Sequence, residues 1–224
     1  MNFADKIIAF ITDLNLPVSL PEGIMVMNPF QDNLTLDTCK KFYKKFYADS
    51  NERCMIIGIN PGRFGGGITG IPFTDPIRLQ HHAGIENTWS KKQELSSVFI
   101  YDMINAYGGP KRFYDSFYFT SISPLGFTKD NKNLNYYDDA KLMQTIRGFI
   151  IDCLLLQVHF GFNRNAAFCL GEGKNFLYLS KLNNELRLFK NIIPLSHPRF
   201  IMQYRLKQKD EYIKRYIEQF QLFC

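Results

Sequence analysis

The sequence predicts an α/β fold in three layers, with helices on both faces of a central four-stranded parallel sheet. Three observations carry that expectation. Four short apolar runs, Cys54–Ile59, Phe117–Ile122, Ala166–Leu170 and Asn191–Leu195, have the length and flanking turns of buried strands. Helix-patterned stretches lie between them, and strand–helix alternation is the mark of parallel pairing. Each run also stops at a loop rich in Gly, Pro or Ser: Asn60-Pro61, Ser123-Pro124, Gly171-Glu172-Gly173-Lys174 and Ser196-His197-Pro198.

The other elements follow in chain order. Asn2–Leu14 reads as an amphipathic helix; Asp5, Lys6 and Asp13 inside its apolar pattern set it apart from a secretory signal. Pro17, Pro21 and Pro29 predict an extended segment. Asp37–Ala48 fits a helix, with Asp37 as N-cap and Phe42 and Phe46 four apart. Residues 60–76 hold five Gly and three Pro and read as a loop, and 82–95 as another. Thr74-Asp75-Pro76 reads as a helix N-cap with Pro at the first position. Ser96–Tyr107 is helical and is stopped by Gly108-Gly109-Pro110. Asp138–His159 reads as one long helix opened by two aspartates that suit its positive end. A helix follows Lys174, and a basic helix closes the chain from Lys207 to Phe220.

Composition narrows the function. A chain of 224 residues fits one domain, and 46% hydrophobic content with 21 Phe and 12 Tyr supplies a sizeable core, which excludes a disordered tail, a coiled coil and a collagen-like chain. The longest apolar stretch, Gly148–Phe162, is too short and too polar to span a bilayer, so no membrane partner is expected. The five cysteines form no CxxC pair or Cys–His cluster; no zinc site or iron–sulfur cluster is expected, only reduced, buried thiols in a cytoplasmic protein. His81-His82 lack a third ligand at suitable spacing, so no metal is expected there either. Residues 1–152 carry 16 basic and 16 acidic side chains, whereas 153–224 carry 11 and 5, so the whole excess of +6 lies in the last third. That asymmetry suits a polyanionic partner.

In open α/β sheets ligands sit beyond the carboxyl ends of the strands. The loops there are the place to look. The first is not a Walker loop, because no Gly-Lys-Ser/Thr closes it, and Gly171-Glu172-Gly173-Lys174 fails that pattern at Asn175. Lys174 at a helix start still suits a phosphate, although an ordinary strand-to-helix turn explains the same four residues.

Gly58-Ile59-Asn60-Pro61-Gly62-Arg63-Phe64, followed by Thr69-Gly70-Ile71-Pro72-Phe73, resembles the first motif of the single-strand-selective monofunctional uracil-DNA glycosylases. Ser196-His197-Pro198-Arg199 resembles their second motif, and Phe117–Leu125 the strand between. The run Gly62–Gly67 and His197-Pro198-Arg199-Phe200 resemble the second, bacterial branch of that family most. The likeness spans about 54–205, which makes this the core of a single domain over 1–224, with a helical extension at 1–50 and the basic helix at 207–220.

The resemblance implies the uracil-DNA glycosylase fold and hydrolysis of the N-glycosidic bond of a deaminated base such as uracil, without metal or cofactor; Gly65–Gly67 contribute no side chains, and the room they leave suits a purine such as xanthine or hypoxanthine besides uracil. It implies a bacterial, cytoplasmic, nucleoid-associated monomer acting on single- and double-stranded DNA. In that chemistry the leaving base gains negative charge while the sugar becomes cationic. His197 suits the donor to the base anion. Asn60 suits orientation of the water, since an amide positions but does not take a proton at neutral pH. Phe73 suits stacking under the flipped base. Gly62 and Phe64 complete the pocket, and Ser121 stands where the better-known branch has an Asn that reads uracil, so strict uracil selectivity is not expected. Arg63, Ser123, Lys174, Arg199, Phe200, Arg205 and Lys207 are the candidate DNA contacts, with Arg199 as the wedge; Phe200 and Ile201 suit a wedge or a loop packed on the body equally. No lysine occupies a motif position suited to a Schiff base, so strand cleavage is not expected. Two rival readings are a DNA-binding module without turnover and a hydrolase of free nucleosides. The basic tail argues against the second.

Overall fold

The computed structural model describes residues 1–224 and contains eleven α-helices and seven strands. The helices are α1 Phe3–Thr12, α2 Asn33–Tyr47, α3 Gly66–Thr69, α4 Pro76–His81, α5 Leu95–Tyr107, α6 Pro110–Ser116, α7 Ala140–Thr145, α8 Arg147–Val158, α9 Lys174–Leu186, α10 Pro198–Tyr204 and α11 Lys209–Phe223. The strands are β1 Ile24–Met27, β2 Arg53–Gly58, β3 Phe117–Ser121, β4 Gly126–Lys129, β5 Lys132–Leu134, β6 Phe162–Leu170 and β7 Asn191–Leu195. The central sheet has the order β3-β2-β6-β7 and is parallel throughout.

Its patterning explains its layers. Every residue of β2 is buried, as a central strand covered on both faces requires. Phe117 and Phe119 of β3 face Phe113 of α6, and Phe117 and Phe168 meet Phe220 of α11. Tyr118 and Thr120 point the other way, to Phe3 of α1 and Gln157 of α8. The period of two along one strand thus assigns α6 and α11 to one face and α1 and α8 to the other. No helix is long and apolar enough to cross a membrane.

Several elements depart from expectation. The helix expected from Asp37 starts four residues earlier: Asp32 caps it by accepting from the Thr35 N–H, and Asp37 lies on its exposed side. The long helix expected over 138–159 is two, separated at Ile146; an apolar pattern that runs through the break conceals it. Asp139, the second of the two aspartates, caps the first of them. Gly108-Gly109-Pro110 ends one helix and also starts α6, with Pro110 at its first position. A small antiparallel sheet, β1-β4-β5, occupies sequence expected to be extended or irregular. Its hairpin turns at Asp130-Asn131, both at positive φ, 49° and 56°, the geometry of a tight two-residue turn. The thiols are not all reduced: Cys54 at the start of β2 is disulfide-bonded to Cys224, while Cys39, Cys153 and Cys169 are free and buried. The pair is 170 residues apart in sequence, so spacing gave no sign that α11 returns to the sheet.

Candidate active site

The carboxyl ends of β2, β3, β6 and β7 open into a cleft of about 530 Å³, the size of small-ligand sites. Asn60, Gly62, Phe73, Ser121, Lys174, His197, Arg199 and Phe200 all line it. Segments far apart in sequence meet there because they follow adjacent parallel strands.

Asn60 is held from three sides. Its Oδ1 accepts from the Tyr136 backbone N–H at 3.0 Å, and its Nδ2 donates to Leu134 O at 3.2 Å and more weakly to Pro61 O. The second lone pair of Oδ1 stays available to a water. Tyr136 is itself fixed: its hydroxyl donates to Asn175 Oδ1 at 2.9 Å, while Asn175 Nδ2 donates to Leu170 O and Gly58 O. The small sheet therefore serves the site, because β5 ends at Leu134 and the chain just beyond it brings Tyr136 up to Asn60.

His197 caps α10. Its Nδ1 accepts from the Arg199 N–H at 3.2 Å, so Nδ1 is unprotonated and Nε2 carries the proton. No protein atom accepts from Nε2. Burial, and then the charge of Arg199, lowers the imidazole pKa from 6.5 to about 4, so the ring is a neutral donor at physiological pH. Its backbone is tied down from both sides: Tyr216 of α11 donates to Ser196 O, and Ser196 donates to Glu172 Oε2 at 2.8 Å.

Phe73 has φ +53°, where a bulky L-residue sits only under constraint, at a cost of about 1–3 kcal/mol. Its ring lies 5.4 Å from Phe119 and 6.3 Å from His197. Gly58 makes this placement feasible, since a Cβ there would come within 2.9 Å of Phe73 Cζ. Ser121 is buried in register with Gly58, and its hydroxyl has no protein partner. Asp75 is the N-cap the sequence predicts: buried, it accepts from the Arg78 and Glu94 N–H groups and so takes no part at the cleft.

Three candidates need correction. Ser123 does not reach the surface: it is fully buried and donates to Leu125 O at 2.7 Å, closing the turn after β3. Phe64 does not wall the pocket; it is exposed, outside the cleft, between Arg63 at 5.1 Å and Lys92 at 5.6 Å from its ring. The segment after His197 is a helix, not a loop. Within it Ile201 is buried in the core, and Phe200 and Tyr204, one turn apart with rings 5.7 Å from each other, are exposed at the cleft. Arg205 stacks on Phe200 outside the cleft, Lys207 is exposed in a short 3-10 turn, and Arg63 Nε is buried without a partner.

Glu94 is the residue that sequence reasoning missed. It lines the cleft, accepts from Ser97 Oγ, and fills the space a side chain at Gly65 would need. Burial raises its pKa. The polar run 82–95 gave no signal for it beyond a carboxylate just before a helix.

The model of the uracil DNA glycosylase superfamily matches residues 44–221, and the chain belongs to that superfamily. It is a DNA glycosylase, a hydrolase of N-glycosyl bonds. Among solved structures it is similar to SMUG2 of Pedobacter heparinus, with 47% identity over 99% of this chain and 98% of that one, and a TM-score of 0.96. A search of curated proteins returns no match.

Proposed function

We propose that the protein excises uracil, and also xanthine or hypoxanthine, from single- and double-stranded DNA as a monofunctional enzyme acting as a monomer. The observation that carries this reading is the pairing, in one cleft, of a neutral His197 whose free Nε2–H faces no protein acceptor with an Asn60 whose Oδ1 keeps one lone pair.

The target nucleotide flips out of the strand and its base stacks on Phe73. As the glycosidic bond breaks, negative charge develops on the base and meets the Nε2–H of His197. A preorganised donor of this kind is worth about 3–4 kcal/mol. Neutrality is an advantage here, because the donor need not lose a proton to anything. Asn60 Oδ1 aligns a water on the sugar, a positioning effect. Ser121 offers the base one hydroxyl, which donates or accepts and so tolerates several Watson–Crick edges. Room for a purine does not come from the glycine run, because Glu94 and Asn133 crowd Gly62 and Glu94 fills the space at Gly65; it rests on the cleft volume of about 530 Å³. Lys174, Arg63, Arg205 and Lys207 meet phosphates, while Arg199 and Phe200, with Tyr204 beside them, fill the gap left by the flipped base.

The test is alkali-developed cleavage of labelled oligonucleotides carrying each base, single-stranded and paired, with chelator present. Scission that appears only after alkali, with uracil among the substrates, is the expected result. Salt-sensitive binding with no scission of any substrate would replace the reading with a DNA-binding module.

A further inference from the structure

We propose that the groove between α7–α8 and α9 is a second nucleic-acid subsite, which takes a base and phosphate next to the excised nucleotide on single-stranded DNA. The proposal rests on the reading above and extends it beyond the catalytic cleft.

The groove measures about 610 Å³, large enough for a nucleobase and its sugar. It shares Tyr137 and Lys174 with the cleft, so a strand leaving the cleft across Lys174 enters it directly. Its floor is apolar, with Met143 and Leu182, and Leu177, 67% exposed, stands at its rim. Leu177 gives the rim of the groove an apolar surface beside its cations. Tyr137 and Tyr178 supply aromatic surface, and the Tyr178 hydroxyl is buried without a partner.

Charge favours the same occupant. Arg147 and Glu185 neutralise each other in a two-pronged ion pair, whereas Lys174 and Lys181 have no acidic partner. The Lys174 ammonium sits 5.7 Å above the Tyr137 ring at the junction of the two cavities. Aromatic and apolar surface interleaved with unpaired lysines is the pattern that binds single strands without reading sequence. In a duplex the neighbouring base is stacked and paired and does not enter. The groove therefore adds affinity for single strands only, and on one side of the lesion only.

The experiment uses the full chain and single strands carrying a stable abasic analogue, with zero to four nucleotides on the 5′ or the 3′ side and a fixed arm on the other. Affinity is read by fluorescence anisotropy. The expected result is a step of about five- to tenfold when one or two nucleotides are added on one side, and a smooth, smaller gain on the other. Lys181→Glu and Leu177→Asp, both surface changes, should reduce the step to under twofold. Lys111→Glu, at the amino end of the sheet, should keep it. Equal gains on both sides, a step that survives both groove substitutions, or a step that Lys111→Glu also removes would each overturn the proposal. Uracil release from a central site is measured alongside. Release without a step sinks the groove and leaves the enzyme reading standing; a step without release does the reverse.

Discussion

The two ends of the central sheet treat polar groups in opposite ways. At the amino end, the Arg53 side chain is fully buried and its guanidinium is fully occupied. Its Nε donates to Tyr114 O at 2.7 Å, and both Nη atoms reach the Asp49 carboxylate at 2.8 Å. The Phe3 and Tyr47 rings lie 4.7 and 4.8 Å from it. At the carboxyl end, His197 Nε2 and Ser121 Oγ have no protein partner, and Phe73 is held at a strained φ. The first arrangement serves folding, since a buried guanidinium left unpaired would destabilise. The second leaves its polar groups open to the cleft, free to bond a substrate. Substitutions at the amino end should therefore cost stability, and those at the carboxyl end should cost rate.

The largest expected effect is on chemistry. Asn60→Ala should slow single-turnover excision by about 10²–10³-fold, while the loss of its bonds to the Tyr136 N–H and Leu134 O lowers Tm by only a few degrees. A similar loss of stability in place of rate would erase the contrast. Next comes Arg53→Met, which leaves Asp49, 32% exposed, with only the Asn51 N–H as a partner. It should destabilise by about 3 kcal/mol, or lower Tm by roughly 10 °C at this chain length, with kcat nearly unchanged below the transition. Thermal unfolding followed by circular dichroism checks it. Phe73→Leu should cost about tenfold in excision and relieve no stability, because the aromatic face is lost while the left-handed φ remains.

The last effect concerns protons. His197 has a folded-state pKa near 4 against 6.5 when unfolded, so the unfolded chain binds more protons between those values. Its contribution to stability is complete above about pH 6.5 and is lost as pH falls toward 4. The same neutrality predicts that excision does not follow a His197 titration between pH 5 and 8. Nitrogen-15 chemical shifts should report an Nε2–H tautomer across that range, and a midpoint near 6.5 would contradict the assignment.

The sheet was legible because its four strands are short apolar runs closed by strong breakers, and a buried parallel strand leaves that signature. The glycine-rich first motif and His197-Pro198 pointed to the cleft for the same reason: unusual backbone needs unusual residues. What stayed hidden depends on tertiary contact. Glu94 belongs to the site only because the Gly65 loop folds over it. The β4–β5 hairpin carried a readable Asp130-Asn131 turn, but its strands are too short and polar to announce themselves. Ser123 and Phe64 had the right chemistry and the wrong exposure, and a single sequence does not show exposure. Cys54 and Cys224 meet only after α11 folds back.

The most direct test is single-turnover uracil release by His197→Ala, with DNA affinity measured in parallel. A neutral donor aimed at the leaving base predicts a loss of about 10²–10³-fold with affinity within a few fold of the parent. Release within threefold of the parent would remove His197 from the chemistry and, with it, the account of why the carboxyl end of the sheet presents unpaired polar groups to the cleft.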